Sequence, residues 1–134
     1  MPKEKQTDRR LAELNKRNLN RANLSRQKLA GASLVRANMR GANLTNADLI
    51  SANLSEANLV EAKLNGANLV DARLSRAKLE GADFTKADVT GADFRNTDLS
   101  RIKGLTLEQI RSAKVDETTK IPKAFQEKIP NTGS

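Results

Sequence analysis

Four carboxylates, Asp83, Asp88, Asp93 and Asp98, recur at every fifth residue toward the end of the chain. By type they are the side chains best suited to share a proton or hold a cation. The chain has no His and no Cys, which removes the commonest general base, the commonest nucleophile pairs and most transition-metal sites. Whether the carboxylates act together depends on how the backbone presents a spacing of five. On an α-helix five residues advance about 500°, so successive positions step about 140° around the axis and form no stripe. On a flat strand an odd spacing throws alternate members onto opposite faces. Neither element gathers the four groups.

The same spacing governs the apolar residues. One stands at every fifth position from Leu14 to Leu99, with Met39, Phe84, Val89 and Phe94 replacing Leu along the way. Two residues before each stands a small one, which is Ala in every unit from Ala32 to Ala92; Arg17, Gln27 and Thr97 break the rule near the ends. A pair spaced by two shares one face of a short extended piece. The other three residues of each unit must then turn the chain so that the next pair meets the same axis. Turns of about 90° give about twenty residues per circuit, with circuits stacked about 4.8 Å apart. Units too short to bury a face alone, stacked into a continuous core, are the mark of a solenoid.

In such a coil the four Asp diverge to different sides. Residues on one side lie about twenty apart, and there Glu56 with Arg76, or Glu61 with Gly81, makes no convergent acid and base. Asp and Asn before each centre read as side chains that hydrogen-bond turn backbone. Gly31, Gly41, Gly66, Gly81, Gly91 and Gly104 are scattered turn glycines, not a phosphate loop. The expectation is a non-enzyme with no catalytic, cofactor or metal site.

The run Ala-(Asp/Asn)-Leu-X-X, as in Ala42-Asn43-Leu44, Ala47-Asp48-Leu49 and Ala92-Asp93-Phe94, resembles the pentapeptide-repeat family, abundant in cyanobacteria. The resemblance implies an all-β solenoid, a right-handed quadrilateral β-helix, with Leu or Phe and Ala inside. Known members of that family include DNA-mimicking gyrase binders and a few cyanobacterial regulators. The repeat is read over residues 12–101, after a charged segment at 1–11, and is followed by a capping helix at 102–116 and an extended tail at 117–134.

Both ends of the coil need covering, because an open end presents bare Leu side chains and unpaired backbone. Either Thr7 or Asp8 N-caps a short N-terminal helix carrying Leu11 and Leu14, or the coil simply begins at Leu14. At the other end Thr106 and Gln109 form a capping box, with Leu105 and Ile110 as its staple. That helix is expected to run to about Lys114 and to cover the end with Leu107, Ile110 and Ala113. In the tail, Ile121, Phe125 and Ile129 recur every four residues and are available to cover a side of the rod. The end Ile129-Pro130-Asn131-Thr132-Gly133 is similar to a sortase sorting signal, without the hydrophobic span and basic tail that would follow one.

Function is left to the surfaces. Ala30, Ile50, Val70 and Thr90 fall in one column, flanked by Gly31, Ser51, Asp71 and Gly91, and this is the least charged side. Val35 and Val60 on adjoining sides add to it. Val35, Ile50, Val60 and Val70 are the candidate protein-contact residues. The net charge is +8, and residues 1–47 alone hold eleven Lys and Arg against three acidic residues. Arg21, Arg26, Arg36 and Arg40 form a candidate basic surface, with Lys16, Arg17 and Lys28 nearby. Such a surface attracts nucleic acid or an acidic partner in a salt-dependent way. Here it is spread over four sides and has no exposed aromatic for base stacking, so nucleic acid is disfavoured. Mimicry of DNA needs acidic surface, which a basic rod lacks. No apolar run is long enough to span a membrane, and the absence of Cys fits a reducing compartment. The reading is a cytoplasmic scaffold rod that binds an unidentified protein, as a monomer or as an end-to-end or face-to-face homodimer.

Overall fold

A computed structural model describes residues 17–133. The chain winds as a coil whose successive circuits are joined by parallel bridges between residues twenty apart. Four columns begin at Asn18, Asn23, Lys28 and Ser33 and run on to Lys78, Lys103, Asp88 and Lys114. We call these the first to fourth sides. One bonding pattern recurs along most of the coil: the Leu44 N–H donates to the Lys63 carbonyl (2.7 Å) and the Lys63 N–H donates to the Ala42 carbonyl (2.9 Å). The corner is closed by the Ala47 N–H donating to the Leu44 carbonyl (3.0 Å).

Expected as all-β, the coil contains isolated bridges and no continuous strand among the described residues. Each side has only a few extended residues before the next corner. That is too short for a strand, although every circuit is hydrogen-bonded to the next. The expected N-terminal helix, with Thr7, Asp8, Leu11 and Leu14, lies outside the described residues.

The inner apolar positions are buried from Leu29 to Leu99, and the small residues from Ala32 to Ala92 are buried with them. Leu19 and Leu24 are only partly covered. Each buried Leu contributes about 1.5–3 kcal/mol before backbone entropy is counted, so stability accumulates along the rod. Toward the C-terminal end Phe84 and Phe94 meet edge to face, with centroids 6.2 Å apart and planes at 69°. Thr97, which breaks the Ala rule, is buried because its hydroxyl donates to the Leu74 carbonyl (3.0 Å).

At the corners, every fifth residue from Arg21 to Asn96 takes a left-handed backbone. Glycine fills this place at Gly31, Gly41, Gly66, Gly81 and Gly91, but Arg21, Arg26, Arg36, Glu56, Glu61 and Arg76 adopt it too, at φ between 59° and 62°. The stacked ladder on both sides of each corner holds these residues in a conformation they disfavour.

The ladder does not stop at Arg101. Lys103 bridges Asp83, Lys114 bridges Asp93 and Lys120 bridges Asp98, so the spacing grows from 20 to 21 and then 22. The first extra residue is absorbed by helix α1 (Leu107–Ser112), which takes the place of the third side in this last circuit. Its capping box is present at Thr106 and Gln109, and the Gln109 side-chain amide also donates to the Phe84 and Ala87 carbonyls (3.0 and 2.9 Å). Helix α1 ends at Ser112, short of Lys114. Ile110 is fully buried, whereas Leu107 and Ala113 are half-exposed. Ala113 is extended, at φ −99° and ψ 172°, and begins a further unit, Ala113-Lys114-Val115. Another follows at Thr119-Lys120-Ile121, where Thr119 and Ile121 are buried and the Thr119 hydroxyl donates to the Phe94 carbonyl (2.9 Å). The tail therefore continues the coil and closes its end, with Gly133 bridging Lys120 after a 3-10 turn at Lys123–Phe125.

Candidate interaction surface

The residue before each inner centre sets the chemistry of a side. Its side-chain oxygen accepts from the backbone N–H two residues on: Asn43 from Thr45 (3.0 Å), Asn53 from Ser55 (3.1 Å), Asp83 from Thr85 (3.0 Å), Asp88 from Thr90 (3.1 Å). This bond stiffens the entry to each corner. In the later units the carboxylate also takes a hydroxyl, from Thr85, Thr90 and Ser100.

These bonds hold the carboxylates ionised. The Thr85 hydroxyl and N–H, with Asn65 and Lys103, keep Asp83 below the usual carboxylate range, and Thr90 does the same for Asp88. Asp93 is lowered chiefly by the guanidinium of Arg95, which grips it at 2.9 and 2.7 Å. Burial works against Asp98, but the Ser100 hydroxyl and N–H, together with Lys120 and Arg101, outweigh it and lower its pKa as well. The four groups stand on the second, third, fourth and first sides in turn, so no two converge. Among the described residues no cluster of acidic side chains is arranged to hold a metal.

The basic residues are exposed and divided among sides. Arg21 and Arg40 are on the first, Arg26 on the second and Arg36 on the fourth. Arg36 pairs with Glu56 (3.4 Å) and Arg40 with Glu61 (3.3 Å). Half of the candidate basic surface is thus neutralised by carboxylates one circuit on, while Arg21 and Arg26 have no ion pair among the described residues.

Ile50 and Val70 lie one above the other on the third side: the Gly31 N–H donates to the Ile50 carbonyl and the Ser51 N–H to the Val70 carbonyl, both at 2.8 Å. Both side chains are half-exposed, as are Val35 on the fourth side and Val60 on the first. The structure brings Ile50 and Val70 together and leaves the other two on separate sides.

The family pattern described as "Pentapeptide repeats (8 copies)" matches residues 18–55, 42–81, 52–91 and 62–101. The chain belongs to the pentapeptide-repeat family. Among solved structures, this pentapeptide-repeat protein is similar to HetL of the cyanobacterium Nostoc sp. strain PCC 7120, with 30% identity and a TM-score of 0.65, over 82% of this chain and 60% of HetL. It is also similar to Rfr23 of Cyanothece 51142, with 32% identity and a TM-score of 0.49, over 74% of this chain and 63% of Rfr23. The chain therefore spans less than two thirds of either relative. No curated protein matches the sequence. Among the described residues no helix is long and apolar enough to cross a membrane.

In this pentapeptide-repeat protein the tail residues Ile121, Lys123 and Gln126 border the first side. They leave an open groove of about 730 Å³ on that side, bounded by Val60, Lys78, Glu80, Lys120, Ile121 and Lys123. Sequence reasoning missed this groove. The small-X-apolar triplets at Ala113 and Thr119 were the available signal, hidden by their one-residue slips in register.

Proposed function

We propose that the chain is a non-enzymatic protein-binding rod that works in the cytoplasm and contacts its partner through the third side, around Ile50 and Val70. The coil is the right-handed quadrilateral β-helix of its family, whose flat sides suit it to present side chains at fixed spacing. One observation carries the reading. Ile50 and Val70 are stacked and half-exposed, on a side whose corner positions hold small or short residues. The dispersed carboxylates and the paired arginines support a binding role over a catalytic or a nucleic-acid role. HetL is described as involved in heterocyst differentiation regulation; a regulatory role through protein contact is the corresponding proposal here.

The test is affinity capture from nuclease-treated extract at about 0.5 M salt, where exposed charge contacts are screened. Wild type is expected to retain a protein that the Ile50→Lys, Val70→Lys variant loses. Equal capture by both would remove the third side from the reading.

A further inference from the structure

The third side is self-complementary, and we propose that it binds a second copy of this chain, antiparallel and face to face; this rests on the third side being the contact surface.

Four rows make up the side: Lys28, Ala30 and Gly31; Asp48, Ile50 and Ser51; Asn68, Val70 and Asp71; Asp88, Thr90 and Gly91. A two-fold axis that lies in the interface, runs across the rod and passes between the middle rows reverses their order and keeps each column facing itself. Ile50 then meets Val70 at the centre. Asp48 meets Asn68, and Ser51 meets Asp71, so each carboxylate faces a hydrogen-bond donor. Gly31 meets Gly91 and Ala30 meets Thr90, which lets the ends approach closely. Lys28 meets Asp88, and symmetry makes this contact twice.

The charges at these positions are available. Lys28 is exposed and has no ion pair among the described residues. One oxygen of Asp88 accepts from Thr90, and the other takes no hydrogen bond among the described residues. Asp88 also borders an open notch of about 490 Å³ beneath helix α1, lined by Glu108 and Thr90 with Lys86 at its margin. A lysine arriving from a second copy finds two carboxylates there.

The other sides do not share this property. The same operation on the second side sets Arg26 against Lys86. On the first side it sets Arg40 against Val60 at the centre and Arg21 against Gly81, with no pair of opposite charges. On the fourth side it gives Glu56 against Arg76 but only Ser55 against Ser75 at the centre. A parallel pairing of third sides brings no lysine to a carboxylate, because it sets Lys28 against Gly31 and Asp88 against Gly91. Apolar centre and charge complementarity coincide only on the third side in the antiparallel arrangement.

Four rows about 4.8 Å apart make a small interface, at or below the lower end of specific contacts, so the association is weak. The test is sedimentation equilibrium at about 0.5 mM chain and about 0.05 M salt, where exposed pairs are least screened. Wild type is expected to form a dimer that dissociates on dilution. Lys28→Asp and Asp88→Lys should each weaken it about threefold to tenfold, and the two together should restore it. Asp88→Asn keeps the turn acceptor and should weaken it without disturbing the fold, which circular dichroism checks. Ile50→Lys with Val70→Lys should abolish it. A monomeric wild type at that concentration overturns the proposal, as does failure of the double reversal to restore a dimer that both single reversals weaken. A dimer indifferent to Lys28, Asp88, Ile50 and Val70 also overturns it. If wild type is monomeric yet loses its captured protein in the Ile50→Lys, Val70→Lys variant, the third side remains the contact surface and only its occupant is different.

Discussion

The first half of the rod and the second build the same coil from different polar residues. Up to Asn68 the position before each inner apolar residue is mostly Asn, as at Asn18, Asn23, Asn38, Asn43, Asn53 and Asn58; from Arg73 onward it is always charged, at Lys78, Asp83, Asp88, Asp93, Asp98, Lys114 and Lys120. An amide oxygen and a carboxylate oxygen make the same turn bond at the same distance, as Asn58 to Val60 and Asp88 to Thr90 show at 3.1 Å each. Charge at this position is therefore free to vary without altering the path of the chain. That freedom lets opposite charges stack along a side toward the second half, Lys63 with Asp83 and Lys103, and Arg73 with Asp93 and Lys114. The second half also has the larger core residues. The two halves should differ in what breaks them.

The core gives the largest contrast. Phe94→Ala removes one ring of the buried aromatic pair and should cost about 3–5 kcal/mol, while Leu24→Ala, at a partly covered position, should cost less than the about 2 kcal/mol at the bottom of the buried range. Urea unfolding of both variants checks the order, and equal losses would show that the rod does not sum its stability locally. Next come the left-handed glycines. A Cβ at Gly104 would lie 2.8 Å from the Thr85 nitrogen and 2.9 Å from its Cα, and would also strike the Thr85 hydroxyl, whereas at Gly31 nothing lies within 4 Å. Gly31→Ala should cost only the conformational term, about 1 kcal/mol. Gly104→Ala should cost at least about twice that, because backbone must move; thermal unfolding separates them.

The smallest contrast is with acid. Asp83, Asp88, Asp93 and Asp98 all have pKa values held below the ordinary 3.8. A carboxylate lowered in the folded state stabilises it fully above the ordinary value, and that stability is lost as pH falls through the lowered one. Below about pH 3.8, amides near Phe84 and Phe94 should therefore lose hydrogen-exchange protection before those near Leu44 and Leu54. Exposure keeps the effect modest. Replacing the four Asp by Asn should bring the halves level, since Asn makes the same turn bond without titrating.

The regular coil was legible because a strict fifth-position rule leaves the chain few ways to bury its Leu. That rule also assigned Ile50 and Val70 to one column, since a twenty-residue circuit converts spacing directly into side. It failed past Arg101, where the spacing slips by one residue at helix α1 and again before Lys120. There the sequence pointed to a covering helix and an extended tail; the helix is present at Leu107–Ser112, and the tail goes on to bridge the last circuit through Lys120. The ion pairs of Arg36 and Arg40 were also hidden, because a partner one circuit away is twenty residues distant in sequence. Nor did residue type reveal the corners: Arg, Glu and Asn adopt a backbone usually left to glycine because the ladder forces it.

The twenty-residue circuit also constrains how such a gene changes length. Duplicating one five-residue unit between Ile50 and Val70 would keep the apolar residues pointing inward and rotate all that follows by a quarter turn. Val70 would move to a different side from Ile50, and Asp88 to a different side from Lys28. Duplicating four units would lengthen the rod and return every later residue to its original azimuth. Selection on the fold would tolerate both events, and only selection on the surface would tell them apart.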